Sequence, residues 1–134
     1  MALFDRVIDD LLRDENEILT TTPNLTAALN RLIAGQVQFV VGDRELAQVY
    51  YNEINNLPDE DRRRLRRKQR LYLEEWVHLV NEQRPDLNDT EARTVVHAVI
   101  GAIQSTLFHN TGLAEGRLRG LLTAAARAIL GITE

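Results

Sequence analysis

The chain of 134 residues has no cysteine, three prolines, one tryptophan and only 5% aromatic residues. Without cysteine there is no disulfide, no thiolate zinc site and no cysteine nucleophile, so the fold must rest on an apolar core. At this length about two thirds of the unfolded chain's surface can be buried, which makes one such core attainable without staples or metals. Long apolar runs are missing too. The longest strongly apolar stretch, Val95 to Ile103, contains His97 and falls short of the roughly 20 residues that a membrane span needs. Residues 1–6 meet Asp5 where a signal peptide needs a basic region and then an unbroken apolar one, so export is not expected. These absences predict a single cytoplasmic domain with no membrane partner. Excess positive charge is also lacking. Sixteen Lys and Arg stand against 20 Asp and Glu, for a net charge of −4, which argues against nucleic-acid binding by this chain alone.

What is present is helical periodicity. Six segments carry it, and no run alternates apolar and polar residues as a half-buried strand would, so the fold class is all-α. The first segment, about 2–13, places Leu3, Phe4, Val7, Ile8, Leu11 and Leu12 on one face. Thr20-Thr21-Thr22-Pro23 supplies cap hydroxyls and a first-turn proline for a second helix. That helix runs to about Val41, with Gly42 as a left-handed stop. Its inward stripe is Leu25, Leu29, Leu32, Gln36, Phe39 and Val40. Asp43 is positioned to cap a third helix whose face holds Leu46, Val49, Tyr50, Glu53, Ile54 and Leu57. A fourth starts at Pro58 with acids in its first turn and carries Leu65, Gln69, Tyr72, Trp76, Leu79 and Val80 inward to about Glu82. Asn88 and Glu91 have capping-box spacing for a fifth helix, to about His109, and Asn110-Thr111-Gly112 turns the chain into a last helix ending near Leu130.

The two closing helices share a strip of small residues. Ala98, Gly101, Ala102 and Ser105 lie on the fifth, and Gly116, Gly120, Ala124 and Ala128 recur every four residues on the sixth. Small side chains let helix backbones approach closely. Either the strips pack within one subunit or they form a homodimer interface, a four-helix bundle made by two copies. The second is expected here, since so small a domain has few elements left to cover an apolar terminal helix.

The order of elements resembles the C-terminal domain of TetR-type transcriptional regulators. Ala2-Leu3-Phe4-Asp5-Arg6-Val7 is similar to the helix that follows the DNA-binding headpiece in that family. Arg62-Arg63-Arg64-Leu65 through Tyr72-Leu73 and Trp76 resembles its long central helix, and Asp89-Thr90-Glu91-Ala92-Arg93 through Gly101 its penultimate one. The run from Leu121 to Gly131 resembles the final dimer helix. The resemblance implies a six-helix orthogonal-type bundle with a ligand cavity among the first five helices, whose filling shifts the two subunits of a repressor. It implies operator binding only through a helix-turn-helix headpiece, which is expected to be absent from this chain.

Polar groups set among apolar ones mark the expected ligand site. Gln36, Tyr50, Glu53, Tyr72 and Gln104, with Gln69 beside them, are the polar candidates, and Leu32, Phe39, Val40, Trp76, Val96, Ile100, Ile103 and Leu107 the apolar lining. For any one of them, a core residue satisfied by a neighbour is the plainer account. With many aliphatic and few aromatic residues, the cavity is expected to take a small-molecule apolar effector that is long or bulky, such as a fatty acyl chain, in preference to a flat aromatic compound. An acyl-CoA would need cations, and Arg62 to Arg70 holds seven basic residues in nine positions. Their i, i+4 spacing, with Asp59 to Asp61 close by, is more simply a solvated helix face.

Catalytic signatures are few. Glu75 and His78 form one Glu-x-x-His, whereas a ferritin-like di-iron enzyme, the alternative function, needs two such pairs and two further glutamates. No phosphate loop, zincin motif or nucleophile elbow occurs, so no enzyme activity, metal or cofactor is expected. A ligand-free helical scaffold dimer is the remaining alternative.

Overall fold

The computed structural model describes residues 2–133; Met1 and Glu134 lie outside it. The described residues form six α-helices and no strand: α1 (Ala2–Thr21), α2 (Leu25–Val37), α3 (Arg44–Glu53), α4 (Asp59–Gln83), α5 (Asp89–Gln104) and α6 (Glu115–Leu130). A π-helical turn, Gln38–Gly42, extends α2, and a 3₁₀ turn, Ile54–Asn56, extends α3. One core joins all six, with Leu29, Ile33, Val40, Leu65, Trp76, Val96, Val99, Ile103 and Leu130 fully enclosed.

Helix α1 runs well past the end expected near residue 13. The i, i+3, i+4 stripe does not stop at the polar residues 14–17: Phe4, Val7, Ile8, Glu15 and Ile18 are all buried, so a glutamate occupies an inward position. The hydroxyls of Thr20 and Thr21 donate back to the carbonyls of Asn16 and Glu17 and close α1 instead of opening α2. The cap of α2 is Asn24, whose side-chain oxygen accepts from the Ala27 amide at 2.9 Å.

The junction of α2 and α3 also departs from expectation. Gly42 is not left-handed, since positive φ occurs among the described residues only at Gly112 and Gly131. The ends of two flexible side chains, Gln38 and Arg119 of α6, occupy the space where a Cβ at Gly42 would stand. The Asp43 side chain makes no cap bond to α3. Helix α5 ends at Gln104, short of His109, because α3 takes up its outgoing carbonyls. Arg44 donates to the carbonyls of Thr106 and His109 at 2.9 and 3.0 Å, and Gln48 to that of Leu107 at 2.8 Å.

Other boundaries follow the expected chemistry. Asn88 and Glu91 form a reciprocal capping box at the start of α5. The Gly112 amide donates to Asn110 Oδ1 in the turn before α6. Gly131 closes α6 at φ 75°, with the Ile132 amide reaching back to the Arg127 carbonyl, a Schellman motif.

The arginine-rich half of α4 does more than face solvent. Arg64 grips Asp5 of α1 through two donors at 2.8 and 3.1 Å and also reaches Asp61, while Lys68 bridges Asp5 and Asp9. These cations hold the Asp5 carboxyl well below the usual carboxylate range, the Arg64 hydrogen bond being the main cause. The cluster fastens the first turns of α1 to the first turns of α4.

Candidate functional site

Five helices meet around a cavity of about 200 Å³. Ile8 and Leu11 come from α1, Gln36 from α2, Tyr50 and Tyr51 from α3, Gln69, Tyr72 and Leu73 from α4, and Ile100 and Gln104 from α5. Each polar wall residue sits on the inward stripe of its helix or beside it.

The hydrogen bonds order this wall. Gln36 is buried, and its Nε2 donates to the Tyr72 hydroxyl oxygen at 2.9 Å. Gln69 Nε2 donates in the same way to the Tyr50 hydroxyl oxygen at 3.0 Å. Gln36 Oε1 has no hydrogen-bond partner among the described residues. An amide oxygen left so typically costs 1–3 kcal/mol. Burial pushes the Tyr50 and Tyr72 hydroxyls up to about 12, against the opposing pull of the glutamine bonds. Tyr51 moves in the same direction, chiefly through burial and then through its two tyrosine neighbours. All three phenols are therefore neutral near pH 7. Edge-on ring contacts fix them: Tyr50 stands 5.0 Å from Tyr51, 5.7 Å from Phe4 and 6.2 Å from Phe39, centroid to centroid.

Of the residues expected at a ligand site, the cavity gathers Gln36, Tyr50, Tyr72, Ile100 and Gln104, together with Gln69. Leu32, Val40, Trp76, Ile103 and Leu107 are enclosed in the core and do not line it. Phe39 lies in a groove between α1 and the α2–α3 junction, and Val96 in one between α4 and α5. Glu53 is exposed, next to Asn52, because the inward face of α3 is set by Ala47, Tyr50 and Ile54. Ile8 and Leu11 are readable in the sequence only as positions on the apolar face of α1, Leu73 is beside the inward stripe of α4, and Tyr51 is off the expected stripe of α3. The adjacent tyrosine pair was the available signal for it.

Two other hollows are lined by side chains that already bond to the protein. The open hollow by the α5–α6 turn, about 440 Å³, contains Arg44 and Gln48, which donate through Nη2 and Nε2 to backbone carbonyls. In the α4–α5 groove, Arg66 donates to Asn55, and Arg93 to Glu74 and Asp89. Glu75 and His78 stand on the exposed side of α4, where His78 pairs with Glu82 at 2.8 Å, since Trp76 takes the inward direction.

The small-residue strips face outward. Ala98, Gly101, Ser105, Gly116, Gly120, Ala124 and Ala128 are exposed and Ala102 is half-buried. An added Cβ at Gly101, Gly116 or Gly120 would meet nothing within 4 Å. On α6 the strip lies opposite Leu118, Leu122, Ala126 and Leu130, the residues that dock this helix on its own subunit. Packing inside one subunit therefore does not account for the strips.

The family model described as tetracyclin repressor-like, C-terminal domain, matches residues 22–108. The chain belongs to this family. The matched span covers α2 to α5 and with them every polar residue of the cavity wall, while all of α1 and all of α6 lie outside it. No curated protein matches the chain. The domain is thus of a regulatory rather than a catalytic family, and none of its described helices is long and apolar enough to cross a membrane.

Proposed function

We propose that this domain is the effector-binding and dimerisation part of a TetR-type repressor. It takes a small, mostly apolar molecule into the five-helix cavity, pairs with a second copy through α5 and α6, and so controls DNA binding by the regulator's helix-turn-helix part. The observation that carries the reading is the cavity itself: a partly open hollow walled by aliphatic and neutral hydrogen-bonding side chains, with the amide oxygen of one wall residue, Gln36, buried and unmet. Its volume lies below the roughly 300–1,000 Å³ of drug-sized pockets, which favours a compact effector over a long acyl chain.

The route from cavity to α6 is short. Gln36 stands in the wall, the π-helical turn begins two positions later, and at its end Gly42 abuts Arg119 of α6. A second tie links Asn30 of α2 to Arg127 of α6. A ligand that displaces α2 acts on the proposed dimer helix at both points and shifts the population of subunit arrangements.

Ile100→Trp, a half-buried wall position on α5, tests the site. In a thermal-shift screen against compact apolar compounds, a ligand at a hundred times its Kd should raise the wild-type midpoint by roughly 10 °C. The variant should lose that shift while keeping its helicity and subunit count. Undiminished shifts in a folded Ile100→Trp protein would place the ligand elsewhere.

A further inference from the structure

Resting on the cavity reading above, we infer that the effector is an uncharged compound of one or two rings bearing a hydroxyl group, which Gln36 and Tyr72 hold together. Size comes first. An engineered apolar cavity of about 150 Å³ takes up benzene, and the present one, at about 200 Å³, has room for one ring or a fused pair.

Charge narrows the class further. None of the ten wall residues is an acid, lysine, arginine or histidine, and the buried phenols stay neutral. A carboxylate or ammonium inside would be desolvated without a counter-ion, which is strongly unfavourable. Arg66, Arg70 and Arg93 line the adjoining α4–α5 groove and not the cavity, and Arg66 and Arg93 already have protein partners.

The polar demand of the wall is met by one group. Gln36 Oε1 requires a donor, and beside it the Tyr72 hydroxyl, which accepts from Gln36 Nε2, still has its own proton to give. A ligand hydroxyl donates to the first and accepts from the second. Turning the amide over exchanges donor and acceptor, and a hydroxyl serves that arrangement equally well. Ile8, Leu11, Leu73 and Ile100 supply the apolar surface for the rings.

Calorimetric titration of the protein with naphthol, naphthalene, naphthoate and decanoate separates these demands. Naphthol should bind on the order of tenfold more tightly than naphthalene, as satisfying one buried acceptor implies, and both anions should bind more weakly than naphthol. In Gln36→Leu the preference for naphthol over naphthalene should vanish while naphthalene binding persists. Tyr72→Phe, which removes only the hydroxyl, should lower naphthol affinity alone, and it provides the same test if the first variant does not fold. Equal affinity for naphthol and naphthalene in the wild type would overturn the inference. Tighter binding of naphthoate or decanoate, abolished by Ile100→Trp, would overturn it and leave the cavity reading standing. Failure of all four to bind would overturn both.

Discussion

Glu15 is the residue whose position the fold tolerates least readily. Its side chain is buried on the inward stripe of α1, with Oε2 unpartnered. Burial, reinforced by the charge of Glu75, pushes its carboxyl up from 4.5 to about 9. The folded protein thus holds a proton there that the unfolded chain releases above about pH 4.5. Between that pH and about pH 9 the unfolded state binds fewer protons, so this group makes stability fall as pH rises. Glu15→Leu should remove the slope. Melting curves are expected to show the variant more stable than wild type, by a margin of roughly 5 °C or more at pH 8.5 that narrows towards pH 5. A margin independent of pH would mean that the carboxyl is solvated.

Gln36 and Glu15 differ in how plainly they can be read from sequence. Gln36 interrupts an otherwise apolar stripe that both neighbouring turns define, so its inward direction follows from periodicity alone. Glu15 comes after Asp14 and before Asn16 and Glu17, where a polar run resembles the end of a helix. Only the return of Ile18 to the same face shows that the stripe continues. Tyr50, Tyr72 and Gln104 were legible for the same reason as Gln36. Leu32 and Trp76 were not separable from wall residues, because apolar core and apolar cavity lining have the same spacing, and only the packing of five helices decides which faces a void.

At the scale of elements, local chemistry marked the capping box of α5, the turn at Gly112 and the acidic start of α4. It did not mark the π-helical turn, whose i→i+5 pattern has no residue signature and which packs against α6. The α1–α4 ion cluster was hidden likewise, since the partners of Arg64 and Lys68 are remote in sequence. Asp5→Asn should loosen the start of α1 from α4 and destabilise the domain by roughly 1 kcal/mol, given how exposed pairs behave, with a smaller loss in high salt. Because the folded Asp5 is held below its ordinary value of 3.8, its contribution is present above that pH and is lost progressively as pH falls below it. Chemical denaturation of both proteins at pH 7 and near pH 3 should show the difference shrinking at the lower pH. An equal difference at both would show that the carboxylate charge is not what ties the helices.

For the whole molecule, the outward strips on α5 and α6 carry the proposed pairing, with Leu121, 41% exposed, beside them. Ala124→Arg places a charge in the middle of the α6 strip while leaving the docked face of that helix untouched, and arginine is nearly as good a helix former as alanine. Sedimentation velocity should show a dimer for wild type and a monomer for the variant, with equal helicity. A dimeric variant would move the interface off this strip.

Native mass spectrometry of the protein, alone and with naphthol, tests the central claim of a ligand-loaded dimer most directly. The account predicts a dimer that gains one ligand mass per subunit, and a loss of that gain in Ile100→Trp. A monomer that takes up nothing would contradict both the pairing and the effector site.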